Sequence, residues 1–346
     1  MLPHRLLELA KYAAQRCAAE SKFFKPIVKA SLPSPAGTGD QCAKATSVIS
    51  SPRPRNKLEH ANFTGNYTVP VPKHSAKSKC VLTAAADAKR GRVLHLFSGP
   101  SDRVDNLANY LRTKGWEVDD YDHICNSNPD QDICADHIWD EIRRKLKSGF
   151  YTFVIAGTPC ETFSHSRHVP PGPRPIRSAA EPYGLRHGLT ASEKEQVRTA
   201  NLCVVRTAEA CRLVAEHDGG FLVENPRPWD GFESMWLFEE IKALQKDYGA
   251  KVVDFDQCRW GSETTKPTRV LYHNCFAELL ERTCNHPKRE WVDRRGYTYW
   301  ASHERPVQRF RENGERATKA LGAWPAPLNQ AFAMLVHHSS ARRNFQ

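Results

Sequence analysis

Long hydrophobic runs are missing from this sequence. Across its 346 residues no apolar stretch approaches the roughly 18 to 20 residues that a membrane-spanning helix needs. The longest, such as Tyr151–Ala156, are the length of a strand. The sequence therefore predicts no membrane association. An apolar leader and internal repeats are lacking too. The 11 cysteines are odd in number and irregularly spaced, so they form no small-domain disulfide framework. The expectation is an intracellular, reducing compartment in which any special cysteine is catalytic or metal-bound. Net charge is scarce where it matters. Residues 1–90 hold fifteen of the 50 Lys and Arg but only five of the 39 Asp and Glu (Glu8, Glu20, Asp40, Glu59, Asp87), which leaves 35 against 34 for residues 91–346. The basic excess belongs to a tail, and says little about what the rest of the chain binds.

What is present is a globular composition, 40% hydrophobic and 26% charged. Residues 1–20 read as an amphipathic helix, with Leu2, Leu6, Leu9 and Ala13 on one side. It would serve as a docking helix or, against the grain of Glu8 and Glu20, as an organelle transit segment. Ser21 to about Arg90 is rich in Pro, Ser, Lys, Ala and Thr and reads as a flexible, disordered basic linker. Its knot Ser51-Pro52-Arg53-Pro54-Arg55 is the one feature that would suit a nuclear address.

From residue 91 the periodicity alternates between strand and helix, the pattern of an α/β fold with a mostly parallel sheet. Strands are expected at Arg92–Phe97, Glu117–Tyr121, Tyr151–Ala156, Phe221–Val223, Val252–Phe255 and Arg269–Tyr272. Helices are expected at Asp102–Lys114, Cys134–Lys147, from Ser192 to Gly219, at Glu233–Lys246 and at Leu328–His338. Ser192 and Glu195 would form a capping box, followed by the apolar stripe Val197, Ala200, Val204, Ala208, Cys211, Ala215. Residues 274–326 read as irregular.

In open α/β sheets, ligands sit beyond the carboxyl ends of the strands. Five such places carry chemistry-bearing residues: Phe97-Ser98-Gly99, Asp120–Asp122, Pro159-Cys160-Glu161-Thr162-Phe163-Ser164, Glu224-Asn225-Pro226 and Gln257-Cys258-Arg259. A cysteine, a carboxylate and an arginine are thus expected at one sheet edge.

These segments, in this order, resemble the motifs of the C5-cytosine methyltransferase family. Phe97-Ser98-Gly99 is similar to its first motif, Pro159-Cys160 with Phe163-Ser164 to its nucleophile loop, Glu224-Asn225 to its glutamate motif and Gln257-x-Arg259 to its arginine motif. The resemblance covers about residues 92–340. It implies a Rossmann-like fold dependent on S-adenosylmethionine, with catalytic residues 91–273 and 327–340, a small target-recognition segment at 274–326, and DNA as partner. Cys160 would add to carbon 6 of cytosine as a thiolate, helped by backbone N–H groups and an arginine such as Arg167. Glu224, following Phe221-Leu222-Val223, would sit desolvated and donate to nitrogen 3. Arg259 would hold the base carbonyl or orient the nucleophile. For the cofactor, Phe97 would face the adenine, Ser98 and Gly99 would line its turn, Asp122 rather than Asp120 would bind the ribose, Asp132 would take the adenine amine, and Asn329 would match the last motif or simply cap a helix.

Several positions depart from that pattern: Pro100-Ser101 after Gly99, Glu161 beside the nucleophile, Gly261 in place of a second arginine, and 56 residues between Leu271 and Leu328 for target recognition. They keep two alternatives open, an RNA cytosine substrate and a catalytically silent nucleic-acid-binding protein. An amino-group methyltransferase would need a different turn from Thr158-Pro159-Cys160-Glu161. Residues 165–188 read as a mobile basic loop for phosphates around an extruded base. His273, Cys275, Cys284 and His286 are metal-capable, but their spacing does not match the usual knuckle, so zinc there stays open and no metal is assigned.

Overall fold

The computed structural model describes residues 91–169, 172–292, 296–304 and 322–343. All lie within one compact unit. The expected helix at 1–20 and the linker to residue 90 lie outside the described residues, as does 305–321 of the expected irregular segment.

Strands β1 (Arg92–Leu96), β2 (Glu117–Tyr121), β3 (Phe153–Gly157), β4 (Gly220–Pro226), β5 (Lys251–Asp256) and β6 (Pro267–His273) form one sheet in the order β2-β1-β3-β4-β6-β5. The first four are parallel, and β6 runs antiparallel between β4 and β5. Helices α1 (Leu107–Arg112), α2 (His123–Asn126), α3 (Asp136–Lys147), α4 (Ala191–Ala215), α5 (Glu239–Tyr248) and α6 (Ala326–Arg343) complete the α/β unit. A separate antiparallel pair, β7 (Arg289–Val292) and β8 (Thr298–Ala301), gives order to part of the segment expected to be irregular. No described helix is long and apolar enough to cross a membrane.

The strand alternation splits the core into two layers. Leu94, Leu96, Val154 and Val223 face Trp139, Ile142 and Leu146 of α3, Val204 and Cys211 of α4, and Ile241 and Leu244 of α5. Val93, Phe153, Ile155 and Leu222 face Leu107 and Leu111 of α1 and Leu328, Phe332 and Val336 of α6. Trp139 is fully buried, and its Nε1–H donates to Glu209 Oε2 at 3.0 Å. Truncating it to alanine would remove about 3–5 kcal/mol of stability.

The long helix α4 starts two residues earlier than expected. Thr190, not Ser192, is its N-cap, and the reciprocal capping box joins Thr190 to Glu193. Both frames satisfy the spacing rule, but Glu193 is also held by Arg174 from the preceding loop, while Glu195 turns outward to Arg198. The predicted stripe is otherwise correct: Val197, Ala200, Val204, Ala208 and Cys211 are buried. Likewise α5 begins at Glu239, preceded by a single 3₁₀ turn at Met235–Leu237 rather than by continuous helix from Glu233.

From β1 the chain moves outward to β2, then crosses back to β3 on the other side. The carboxyl ends of β1 and β3 therefore flank the topological switch point, where sheets of this kind open a crevice.

Candidate catalytic site at the strand ends

At the end of β1 the backbone turns sharply. Phe97 has φ 58°, a left-handed conformation costly for a bulky residue, and its N–H donates to Tyr121 O at 2.7 Å. Gly99 follows with φ 75° and nothing within 4 Å of where a Cβ would stand. Its N–H donates to Asp122 Oδ2 at 3.0 Å, while Asp122 Oδ1 accepts from Cys125 N–H at 2.9 Å and caps α2. Asp120 faces away and pairs with Arg112 at 2.9 Å. Of the two carboxylates expected near the ribose position, Asp122 is thus the one at the turn. Asp132 accepts from Cys134 N–H at 2.8 Å and lies 3.4 Å from His123 Nδ1.

Beyond β3, the loop Thr158-Pro159-Cys160 is tied to β4 by Asn225, whose Nδ2 donates to Thr158 O at 2.7 Å. In the ladder Gly157 pairs with Glu224, so Cys160 emerges three residues past the partner of Glu224. Glu224 is buried. Its Oε2 accepts from Trp324 Nε1–H at 3.0 Å and its Oε1 from Gln257 Nε2–H at 3.3 Å. Gln257 also donates to Thr268 Oγ1 at 3.0 Å. Burial pushes the Cys160 thiol up to about 11, Lys266 acts against that rise, and Glu224 and Glu161 add to it. The thiol and Glu224 are therefore near enough to feel each other's charge.

Three features here escaped the sequence reading. Trp324 lies outside every motif, yet its indole bonds Glu224 and stacks on His95 at 5.8 Å; a Cβ on Gly157 would come 3.0 Å from its ring. Gln257 was read only as a flank of the arginine motif. Lys266, not Arg167, is the cation acting on Cys160. Arg167 is instead buried and donates to the Glu161 and Arg174 carbonyls at 2.6 and 2.9 Å.

Arg259 is not brought to this pocket by any hydrogen bond or ion pair among the described residues; its guanidinium donates to Asn285. Gly261 has φ 96° and ends the 3₁₀ turn Gln257–Trp260, a conformation that an arginine would adopt only with strain. Asn329 does not cap α6: its Nδ2 donates to Asp105 O at 2.9 Å, pinning the loop after β1 to the closing helix.

The segment after Cys160 is not a free basic loop. Arg177 is 2% exposed, donates to Pro182 O and to Asn201 Oδ1, and lies 4.2 Å over the Phe163 ring. Arg174 reaches Gly188 O and Glu193, and His168 pairs with Glu233 at 2.9 Å. These cations are satisfied by the loop's own carbonyls and by carboxylates of neighbouring segments, Glu193 and Glu233, since a buried guanidinium without acceptors would be costly. The four metal-capable residues His273, Cys275, Cys284 and His286, left open in the sequence, are not brought together as a set. His273 stacks on Phe221 at 5.5 Å, and Cys275 faces the Phe221 carbonyl.

Several buried polar atoms around the switch point have no hydrogen-bond partner among the described residues: both nitrogens of His95, Ser98 Oγ, Thr158 Oγ1, Gln257 Oε1 and Asn329 Oδ1. Buried polar groups are normally satisfied, so this concentration marks a place suited to a polar ligand. The open turn at Gly99, the orphaned Ser98 hydroxyl and the adjacent Asp122 carboxylate fit a nucleoside-bearing cofactor. No protein-family model matches the chain, and no curated protein matches it.

Proposed function

We propose that the chain transfers a methyl group from S-adenosylmethionine to carbon 5 of cytosine in DNA. The observation that carries this reading is the placement of Cys160 and the buried Glu224 on neighbouring strand ends, together with the buried polar atoms left without a partner among the described residues. Cys160 adds its sulfur to carbon 6, which makes carbon 5 nucleophilic. Glu224, fixed by Trp324 and Gln257, holds nitrogen 3 and supplies the hydrogen bond or proton that takes up the electrons displaced into the ring. Phe97, Ser98 and Gly99, with Asp122 at the ribose and Asp132 at the adenine amine, would hold S-adenosylmethionine, which would supply an electrophilic methyl group to carbon 5 and leave as S-adenosylhomocysteine. Water takes the carbon-5 proton, the carbon 5–carbon 6 double bond re-forms as the Cys160 thiolate departs, and the proton on nitrogen 3 returns to Glu224. Arg259 enters this scheme only if its partner Asn285 releases it.

DNA as substrate follows from the resemblance, and exposed aromatics near the site support a nucleic acid. Trp229 is 51% exposed and lies flat on His165, 4.2 Å between centroids, on the segment that follows the nucleophile. Such a platform stacks an unpaired base. Tyr297 and Trp300 project from the β7–β8 hairpin. A second reading, a nucleic-acid-binding protein without chemistry, draws on the thiol being pushed up to about 11. Transfer of labelled methyl from S-adenosylmethionine to matched DNA and RNA separates these readings: incorporation into DNA that Cys160→Ser abolishes supports the proposal. Incorporation into RNA alone, or binding with no incorporation, refutes it.

A further inference from the structure

Cys258, Cys284, His286 and His303 come from three separate segments: the 3₁₀ turn after β5, the loop before β7 and the residues just after β8. Their sulfur and nitrogen atoms all lie within 4.8 Å of one another. Cys284 Sγ is 3.4 Å from His286 Nδ1 and 3.4 Å from His303 Nε2, and the two imidazole nitrogens are 3.2 Å apart. A tetrahedron built on ordinary zinc bond lengths has edges of about 3.3 Å between two nitrogens and about 3.5 Å between sulfur and nitrogen. Cys284, His286 and His303 thus stand close to three edges of such a figure, and Cys258 completes the set within 4.8 Å. We propose that these four residues bind one zinc ion in a closed, structural Cys₂His₂ site.

Chemistry and surroundings favour a metal over a chance cluster. Two thiolates and two neutral imidazoles balance the dication, and an S₂N₂ set selects zinc among common divalent ions. All four positions are filled by protein, which marks a structural rather than a catalytic centre. The supporting contacts are those of a ligand shell. His303 Nδ1 lies 3.0 Å from the Glu263 carbonyl, so it carries the proton and leaves Nε2 free to coordinate. Cys284 N–H donates to Asp256 Oδ2 at 2.7 Å, and Ser302 Oγ–H to His286 O at 2.9 Å. The ion would staple the base of the β7–β8 hairpin to the turn carrying Gln257, the residue that holds Glu224. The assignment stands apart from the methyl-transfer reading.

The test uses the full-length chain, purified without a histidine tag or chelator and assayed by mass spectrometry for zinc and iron. About one zinc per chain is expected, falling roughly tenfold or more in Cys284→Ser and in His286→Ala and unchanged in Cys125→Ser. Cobalt loaded into the wild-type chain should give the visible bands of tetrahedral thiolate coordination. His303→Cys should keep about one ion with its cobalt charge-transfer band strengthened by a third sulfur, a readout that a merely unfolded variant cannot produce. A wild-type chain that takes up neither zinc nor cobalt, a site holding iron instead, a Cys258–Cys284 disulfide in the native protein, or zinc retained in Cys284→Ser would each overturn the proposal.

Discussion

Replacing Glu224 separates its structural duty from its chemical one. In the folded chain its carboxylate accepts from Trp324 at 3.0 Å and from Gln257 at 3.3 Å, and all three residues are buried. Glu224→Ala strands the indole N–H and one amide N–H of Gln257 away from water. An unsatisfied buried donor costs about 1–3 kcal/mol, and removing the carboxylate returns some desolvation energy. The expected loss is therefore about 2–4 kcal/mol. Glu224→Gln behaves differently. Its carbonyl still receives the Trp324 N–H, and its amide then faces Gln257, whose Oε1 has no partner. A flip of Gln257 brings that oxygen forward and keeps the contact as a reversed hydrogen bond, but the bond to Thr268 is lost. The expected cost is about 1–3 kcal/mol, less than for alanine because Trp324 keeps its acceptor. Urea unfolding followed by tryptophan fluorescence should therefore show the larger drop in midpoint for the alanine variant and a smaller one for glutamine. Methyl transfer should nonetheless fall by about 10² or more in Glu224→Gln, because an amide cannot give up a proton. An alanine variant as stable as wild type, or a glutamine variant of full activity, would refute the assigned contacts or the assigned role.

Two further outcomes depend on pH. His95 is buried with neither nitrogen bonded among the described residues, and burial lowers it to about 4. The unfolded chain takes up its proton near 6.5 while the folded chain resists, so stability is complete above that value and declines as pH falls towards 4, by about 3 kcal/mol in all. His95→Leu should flatten this decline in urea titrations, and an unchanged pH profile would remove the argument. Cys160 shifts the other way. Its thiol is neutral in both states below the ordinary thiol value, and between that value and about 11 only the unfolded chain ionises. Alkylation of Cys160 by iodoacetamide, read by peptide mass, should climb about tenfold per pH unit towards a midpoint near 11. A midpoint at or below the ordinary value would show that burial does not govern this sulfur.

The sheet was legible because its central strands are continuous apolar runs such as Phe153–Ala156, and the helices α3 and α4 because their buried positions recur with helical period. The strand-end rule then placed Phe97, Cys160, Glu224 and Asp122 at the ends of strands, where the fold has them. What stayed hidden depends on partners far apart in the chain. Trp324 meets Glu224 across 100 residues and sits in no motif. The inward turn of Arg167 and Arg177 follows from carbonyls that only the folded loop presents, so a count of positive charges misread that segment. The Cys258 and His303 ligands were missed for the same reason. Neither has a metal-like neighbour at knuckle spacing, and only the antiparallel return through β6 and the β7–β8 hairpin brings them to Cys284 and His286.

Incubating the chain with S-adenosylmethionine and a DNA duplex carrying 5-fluorocytosine, whose carbon-5 fluorine cannot leave as a proton does, asks directly whether Cys160 attacks the pyrimidine ring. The proposed attack gives a covalent complex whose tryptic mass places the methylated base on the peptide containing Cys160, and none with Cys160→Ser. Intact protein and free DNA at the end of the reaction, or an adduct that survives Cys160→Ser, would contradict it.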